Sequence, residues 1–518
     1  MIHMLFKNKN IKDILKENKY NILLVIILIF GTIIRMYQID KMPNGLNIDE
    51  ASSGYDAFSI MKHGIDRNGN SFPVVLYAWG SGQSVLYSYI MIPFLIIFNG
   101  LTVFFMRFPM ALIGSISILI IYLLLKNIFN NKKIALIGAF FLAICPWHIM
   151  KSRWGMECNI FPDIILLATL LLVIGIKNKK VILQILSFIL LGISAYSYAA
   201  SYLFLPIFVI GVLVFLIIKK QISIKKAIIY LGIVFIITLP LIIYLIINSI
   251  DLNQIEIFGI TIPKLKVNRY EEMSTIFSGN IWVNCVDNLL ATIRLMLIQS
   301  DGLQWNSLPE HGLFYFISIP FLILGIYKSI KKYNKNILNQ IMNIWMISSI
   351  IFAMFCVVNI NRINIVMFPC IYYIIIGIYE FIKKDKKLLI SLTTIYLIFF
   401  SLFWNDYWKQ DFNDYYTFKS GFEEVYDYCR SSEAENIYCE YTFKEPFIYF
   451  LFYGQEDVRN YIDTVEYFSE QGTFDNIKSY GKYKFYLPEK IEENSIVIVP
   501  QNKEINYELK EKSKVTIN

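Results

Sequence analysis

The chain has 518 residues, of which 56% are hydrophobic and only 17% are charged. Soluble globular domains carry about 25% charged residues, so this composition excludes an ordinary soluble protein and predicts an integral membrane protein. The net charge of +8 comes largely from lysines in short loops between apolar segments. That pattern is typical of cytoplasmic membrane loops and does not indicate nucleic-acid binding.

The apolar segments predict the membrane spans, because about 17 to 25 apolar residues cross a hydrocarbon core of about 30 Å. The first segment lacks a small-residue cleavage site, so we expect it to be retained as a span. The predicted spans are 20–38, 103–125, 134–150, 159–176, 181–198, 202–218, 227–248, 312–329, 338–358, 363–382 and 387–404.

Lysine-rich and lysine-poor loops alternate between these segments, which predicts a cytoplasmic N-terminus and an outer C-terminus. The segment Val85–Phe98 is apolar but short, and it contains Pro93. If it crossed the membrane, every later lysine-rich loop would face outward. We therefore expect an interfacial or re-entrant helix there.

The predicted fold is an all-α polytopic membrane protein of about eleven transmembrane helices, followed by a small extracytoplasmic α/β domain. The membrane domain comprises residues 1–404, with a first outer loop at 40–102 and a large outer loop at 251–311. The outer domain comprises residues 405–518. Its helix-like and strand-like stretches carry enough Tyr, Phe, Ile and Val for a small core.

The cysteines and histidines give no metal signature, because the seven cysteines and four histidines are scattered without paired spacing. We therefore predict no metal site from them. Cys429 and Cys439 fall in the predicted outer domain, where either a disulfide or two free thiols fits the sequence equally well.

A polar stretch at 46–56 follows the first span and places two adjacent carboxylates, Asp49 and Glu50, at the membrane surface. Neighbouring helical residues point about 100° apart, so the two acids cannot share one task on one face. Asp49 suits the N-cap or first turn of a helix ending near His63. A helix cap and a cavity-facing catalytic carboxylate are both open interpretations.

Further charged residues lie at the outer ends of apolar helices, where they are costly unless they are paired or line a wet cavity. Arg153 and Glu157 are four residues apart, which predicts a salt bridge beside a cavity. Asp163 follows a little further along the chain. We expect Lys151 to extend to the membrane surface instead.

Other candidate binding residues lie on the same predicted outer face. Tyr196 and Tyr198 fit either an interfacial aromatic belt or the lining of a sugar or phosphate pocket. Arg362 is unusual on a lysine-poor side, and its planar guanidinium suits a lipid-linked phosphate. His311 ends the large outer loop and is a further candidate.

Several short motifs occur in the expected loops and helices over residues 20–400. They are Asn47-Ile48-Asp49-Glu50, Tyr55 with Ala57, Gln83-Ser84-Val85-Leu86-Tyr87-Ser88-Tyr89, Arg107-Phe108-Pro109, Ser152-Arg153 with Glu157, and Asn361-Arg362-Ile363-Asn364 with Phe368-Pro369. In these motifs the chain resembles the GT-C superfamily of integral-membrane glycosyltransferases. The similar branch contains the protein O-mannosyltransferases and the lipid A aminoarabinose transferases, which depend on a phospholipid carrier.

The resemblance implies a polyprenyl-phosphate-linked sugar donor and a protein, cell-wall polymer or lipid acceptor on the outer face. Asp49 would be the general base on the acceptor hydroxyl, with Glu50 supporting it or contacting the donor. Arg153 and Arg362 would contact the carrier phosphate. We also expect six residues to bind substrate: Tyr55, Glu157, Asp163, Tyr196, Tyr198 and His311. Aminoarabinose transferases carry a lysine just before the interfacial helix, but 79–83 contains none.

The expected chemistry needs one positioned carboxylate to take a proton and positive charge around the leaving phosphate. We expect no cofactor. A divalent cation remains the alternative, because Asp49, Glu157 and Asp163 could converge on one. The competing functions are a flippase or transporter of a lipid-linked sugar, which should show internal repeats, and a non-catalytic membrane scaffold.

Overall fold

The computed structural model describes residues 11–266, 279–383, 385–412, 418–440, 444–468 and 476–499. The helices are α1 Ile11–Met36, α2 Ile48–His63, α3 Leu86–Phe98, α4 Val103–Phe129, α5 Lys132–Ile144, α6 Pro146–Lys151, α7 Glu157–Lys177, α8 Val181–Ser194, α9 Ser201–Ile218, α10 Ile224–Ser249, α11 Ile281–Ile298, α12 Ile319–Lys331, α13 Ile337–Ala353, α14 Met367–Ile382, α15 Lys386–Lys409, α16 Phe422–Ser431, α17 Phe447–Gly454 and α18 Val458–Thr464.

Short strands occur in the outer loops and in the C-terminal region. They are β1 Leu46–Asn47, β2 Val75–Ala78, β3 Ser81–Ser84, β4 Ile255–Ile257, β5 Ile260–Ile262, β6 Phe418–Lys419, β7 Asn436–Cys439, β8 Glu466–Tyr467, β9 Ile477–Tyr480, β10 Tyr483–Lys484 and β11 Ser495–Ile498. The chain is therefore a helical membrane protein with a small sheet near its C-terminal end, as the sequence predicts.

Within the described ranges, eight helices are long and apolar enough to cross a membrane. They are Asn18–Met36, Val103–Phe129, Glu157–Lys177, Ser201–Ile218, Ile224–Ser249, Ile281–Ile298, Asn364–Ile382 and Lys387–Lys409. Seven of them overlap predicted spans, and the exception, α11, lies inside the predicted large outer loop. The other four predicted spans correspond to shorter or broken helices. One of them, at 134–150, is interrupted where Cys145 precedes Pro146.

The α3 helix has only 13 residues and contains Pro93. It packs against α2 and α4, and Ile96 and Ile97 near its end are strongly exposed. With 13 residues α3 is as long as α5 and α12, which correspond to predicted spans, so its length alone does not decide its placement. The interfacial placement that the lysine pattern indicates stays a prediction.

The C-terminal region contains a five-stranded sheet with the order β11-β7-β10-β9-β8. Strands β11 and β10 run parallel to β7, whereas β9 runs antiparallel to β10. Helix α17 contributes a buried apolar run that packs against α2 and α16. The predicted division at residue 404 stays a prediction, and α15 continues past it to Lys409.

A direct link joins the first outer loop to the C-terminal region. Strand β1 pairs antiparallel with β6, so Leu46 lies opposite Lys419. Tyr449 also donates a hydrogen bond of 3.3 Å to the carbonyl of Leu46. The chain between these strands must therefore cross the membrane an even number of times. The ten predicted spans after the first satisfy this condition, whereas α11 as an additional span would not.

Cys429 and Cys439 are both buried free thiols. Burial raises the pKa of the Cys429 thiol to about 11. The structure therefore favours free thiols over the disulfide that the sequence left open.

Candidate active site

The α2 helix begins with a capping box that fixes the orientation of both outer-loop acids. Asn47 is the N-cap, and its side chain accepts the backbone N–H of Asp49 at 2.8 Å. The carboxylate of Glu50 accepts the backbone N–H of Asn47 at 3.1 Å. These contacts satisfy free N–H groups of the first turn. Asp49 therefore lies in the first turn and is not the cap itself.

Glu50 is completely buried and fully engaged. Arg107 donates to its two carboxylate oxygens at 3.0 and 2.9 Å, and the backbone N–H of Gly155 donates at 2.6 Å. Arg107 also donates to carbonyls of the loop before α2, including that of Pro43 at 2.8 Å. The ion pair therefore fixes the start of α2 against α4 and the segment before α7.

Asp49 is only partly buried, and the β2–β3 hairpin holds it. The indole Nε1 of Trp79 donates to Asp49 Oδ1 at 2.8 Å. The side chain of Gln83 donates to the Asp49 carbonyl at 3.3 Å, and Ser52 donates to Gln83 at 2.9 Å. The carboxylate is thus fixed by a side chain while it remains accessible to solvent.

Glu157, the first residue of α7, is close enough to Asp49 for the two acids to interact electrostatically. It also accepts the backbone N–H of Ser84, next to Gln83 on the same strand. The predicted ion pair between Glu157 and Arg153 is wrong. The reason is that α6 ends at Lys151 and α7 starts at Glu157, so the two residues are not on one helix.

Tyr198 and Arg362 complete the cluster around Glu157. The hydroxyl of Tyr198 interacts electrostatically with both Glu157 and Arg362. The Arg362 guanidinium donates to the carbonyl of Val357 at 3.4 Å, and it forms no ion pair within the described ranges. The side chain of Asn364 donates to the Cys158 carbonyl at 2.6 Å, which anchors the Arg362 loop beside the start of α7.

Two predicted binding tyrosines have structural partners beside this cluster. Tyr55 is buried and donates to the backbone carbonyl of Glu456 at 2.9 Å, so it joins α2 to the C-terminal region. Burial raises the pKa of its hydroxyl. Tyr196 donates to the carbonyl of Ile237 on α10 at 2.8 Å.

Arg153 is fully buried, and its guanidinium donates to backbone carbonyls at the end of α1 and in the loop after it. The carbonyls include those of Ile34 at 2.7 Å, Tyr37 at 2.8 Å and Met42 at 3.1 Å. Its guanidinium carbon also lies 5.5 Å from the ring of Trp404. The predicted phosphate-binding role does not match this geometry, because the donors already have acceptors.

Asp163 lies in a closed cluster of buried charged residues. Lys151 forms an ion pair with it, Ser117 donates to Oδ1 at 2.6 Å, and His148 Nε2 lies 3.3 Å from the same oxygen. Arg35 donates to His148 Nδ1 at 2.7 Å. Lys151 is therefore buried and paired, and the expectation that it reaches the membrane surface is wrong.

His311 has its partner outside these clusters. Its Nε2 lies 2.9 Å from Asp406 Oδ2 on α15. Within the described residues, no group of three His, Cys, Asp or Glu side chains could hold a metal ion. The possible convergence of Asp49, Glu157 and Asp163 does not occur. Lys151 already forms an ion pair with Asp163, and His148 lies within 3.3 Å of the same carboxylate.

Sequence reasoning missed Trp79 as a site residue, as well as the ion pair between Glu50 and Arg107. A signal for the first was present: Trp79-Gly80 lies between two short alternating stretches, which is a hairpin-turn position. The arginine pairing joins residues 57 positions apart, so local sequence carries no signal for it.

Comparison with known proteins gives three findings. A model of the dolichyl-phosphate-mannose-protein mannosyltransferase family matches residues 83–246. Dolichyl-phosphooligosaccharide-protein glycotransferase 2 of Archaeoglobus fulgidus is 34% identical over 106 residues, which are 20% of this chain and 16% of that protein. Archaeal oligosaccharyltransferase AglB from Archaeoglobus fulgidus, solved with an inhibitory peptide and a dolichol-phosphate, has a TM-score of 0.53 at 15% identity.

The AglB match covers 84% of this chain and 64% of the solved chain. ArnT from Cupriavidus metallidurans, solved with undecaprenyl phosphate, is similar at a TM-score of 0.48 and 13% identity, over 73% of this chain and 63% of that one. The likeness to AglB at 15% identity shows that the two chains share a fold over 84% of this chain, and the mannosyltransferase family model matches a part of the same region, residues 83–246. This fold is the one that the resemblance in the sequence implies.

Proposed function

We propose that the chain transfers a hexosyl or pentosyl group from a polyprenyl-phosphate-linked donor to an acceptor on the extracytoplasmic face. The observation that carries this proposal is the placement of Asp49. Asp49 lies partly exposed in the first turn of α2, next to Glu157 and on a GT-C fold. A helix N-terminus favours the ionised carboxylate that a general base requires.

In the proposed reaction, the acceptor hydroxyl oxygen attacks the anomeric carbon of the donor sugar. The bond between that carbon and the phosphate oxygen breaks, and the polyprenyl phosphate leaves with the electron pair. Asp49 takes the proton of the hydroxyl. One positioned carboxylate is enough for such a displacement, because the phosphate is already a good leaving group.

The leaving phosphate needs positive charge, and we assign that task to Arg362. Within the described residues its guanidinium donates one hydrogen bond, to a carbonyl at 3.4 Å, and it lies near Tyr198, which also lies near Glu157. A guanidinium can bind two phosphate oxygens at once. Arg153 already donates to backbone carbonyls, and Glu50 already pairs with Arg107, so both residues have structural roles in this proposal.

The proposed orientation is a cell-membrane protein with a cytoplasmic N-terminus and an extracytoplasmic C-terminal region. The pairing of β1 with β6 puts that region on the same side as Asp49. Because α17 and the Tyr55 contact border α2, the C-terminal region is the natural place for recognition of a protein, polymer or lipid acceptor.

The test uses membranes that contain the full chain and receive radiolabelled hexosyl or pentosyl polyprenyl phosphate. We expect wild type to move label to an endogenous acceptor and Asp49→Asn to move none. Asp40→Asn is the matched control, because Asp40 is an exposed acid in the same loop. Its activity should equal that of wild type.

A different outcome would replace the proposal. If no donor is consumed but labelled lipid changes leaflet in a protein-dependent manner, the chain is a flippase for lipid-linked sugars. If neither donor consumption nor movement of lipid depends on the protein, both functions are excluded for these donors.

A further inference from the structure

The tip of the β2–β3 hairpin has an unusual backbone. Trp79 has a φ of 55° and Gly80 a φ of 74°, the pair of left-handed residues that a two-residue hairpin turn requires. Glycine adopts this conformation easily, whereas a bulky residue does so at a cost. Asparagine or glycine would fit position 79 with less strain, so the tryptophan side chain must serve a purpose.

That side chain is buried between α2, the loop after α2 and α17. The indole N–H donates to Asp49 Oδ1 at 2.8 Å on α2. The guanidinium carbon of Arg67 lies 5.5 Å from the ring centre, and the ring of Phe447 on α17 lies 6.4 Å away. Arg67 is itself fixed by a buried ion pair with Asp56 at 2.7 Å. The indole is therefore held rigidly while it points its donor at Asp49.

We propose that Trp79 is a positioning residue that orients the Asp49 carboxylate and favours its ionised form. This inference rests on the proposed function of Asp49. A hydrogen bond to the charged form of an acid stabilises that form. A donor on one oxygen also fixes the plane of the carboxylate, and such preorganisation is worth more in a partly dry site than in water.

The charged surroundings explain why a dedicated donor is needed. Glu157 and the Cys158 thiol, both on α7, lie close enough to Asp49 to interact with it electrostatically. Glu50, the next residue along α2, has its charge compensated by Arg107. Two neighbouring carboxyl groups do not both ionise easily, so the pair tends to carry one charge, and the indole N–H on Asp49 favours Asp49 as the residue that carries it. The ring of Phe447 connects this contact to the C-terminal region.

The first test compares wild type with Trp79→Phe, which keeps an aromatic ring and the backbone strain but removes the N–H. With the donor assay above, we expect kcat to fall about tenfold, as for loss of a hydrogen bond to a charged group. We also expect the acidic limb of the kcat/KM profile to move up by about one pH unit. Trp282→Phe, at a strongly exposed position on α11, should leave both unchanged.

A fall in activity with an unchanged pH profile would overturn the proposal, because it would show a structural role only. A second measurement needs no turnover. In protein labelled with 5-fluorotryptophan, the ¹⁹F signal that Trp79→Phe removes should titrate in wild type and lose that titration in Asp49→Asn. If the signal does not titrate in wild type, the indole N–H does not sense the charge of Asp49, and the proposal is overturned. If it titrates while no donor is consumed, the contact stands and the proposed function fails.

Discussion

Helix α7 carries two acids six residues apart with opposite surroundings. Asp163 is enclosed by Lys151, His148 and Ser117, so its charge is neutralised within the bundle. Glu157 faces another acid, Asp49, and accepts a backbone N–H. An enclosed pair of opposite charges contributes to packing. Two neighbouring acids cost free energy instead, and such arrangements are typical of functional sites.

The closed cluster also joins several helices. Arg35 comes from α1, Ser117 from α4, Lys151 and His148 from α6, and Asp163 from α7. The site around Asp49 instead uses the start of two helices, a hairpin and two outer loops. On α7, Asp163 therefore contributes to stability and Glu157 to the proposed reaction. Substitutions at these two acids should affect different quantities, the thermal midpoint and kcat.

The largest effect should come from Asp163→Asn. This change leaves the buried Lys151 ammonium without its counter-charge, which costs about 3–5 kcal/mol in a buried site. We expect a large fall in the thermal midpoint and in the yield of monodisperse protein in detergent. Replacing both partners, Lys151→Met with Asp163→Leu, should recover part of the loss. Unchanged stability of Asp163→Asn would contradict the structural role.

Glu157→Gln should give the opposite pattern. Replacing one of two neighbouring carboxyl groups with an amide removes an unfavourable interaction, so the thermal midpoint should stay equal or rise. We expect kcat to fall about 10- to 100-fold, or about 1.4–2.8 kcal/mol, because Asp49 without the neighbouring acid has a lower proton affinity and is a weaker base. Single-turnover rates of donor consumption measure this change. If Glu157→Gln loses stability and keeps its kcat, Glu157 has a structural role like that of Asp163.

Much of the fold could be predicted from the sequence, because spans and lysine-rich loops are local signals. Seven predicted spans coincide with long apolar helices, and the first turn of α2 contains Asp49 as expected. The C-terminal region contains both helices and strands, in agreement with the helix-like and strand-like stretches predicted there. Helix α11 was missed; its apolar run is interrupted by Asp287 and Arg294.

The partners of the charged residues could not be predicted. Arg153 and Arg362 both lie at outer helix ends in sequence, and both fit a phosphate there. Only the folded chain shows that Arg153 meets the carbonyls of residues more than a hundred positions away. Arg362 contacts a carbonyl five positions away and forms no ion pair in the described ranges. The pairing of a buried arginine depends on tertiary contacts that periodicity does not encode.

Arg362→Ala should weaken use of the donor about tenfold through a higher KM, since one charge-assisted contact to phosphate is lost. The KM for the acceptor should not change. Arg362→Lys keeps the charge but loses the planar fork, so its KM should lie between those of wild type and Arg362→Ala. Initial rates at varied donor concentration measure this. An unchanged donor KM would remove Arg362 from the site.

The smallest effect concerns the C-terminal region beside α2. Burial raises the pKa of Glu456, so the folded state disfavours its ionised form. The destabilisation is present above the folded-state pKa and disappears as the pH falls below the ordinary range of a glutamate. Glu456→Gln should therefore raise local stability by about 0.5 kcal/mol at pH 7.5 and have no effect at pH 3.5. Hydrogen exchange of residues 445–468 should show about twofold greater protection at pH 7.5 only. Glu489→Gln, at an exposed position, is the control, and a gain of protection at both pH values would show that charge is not the cause.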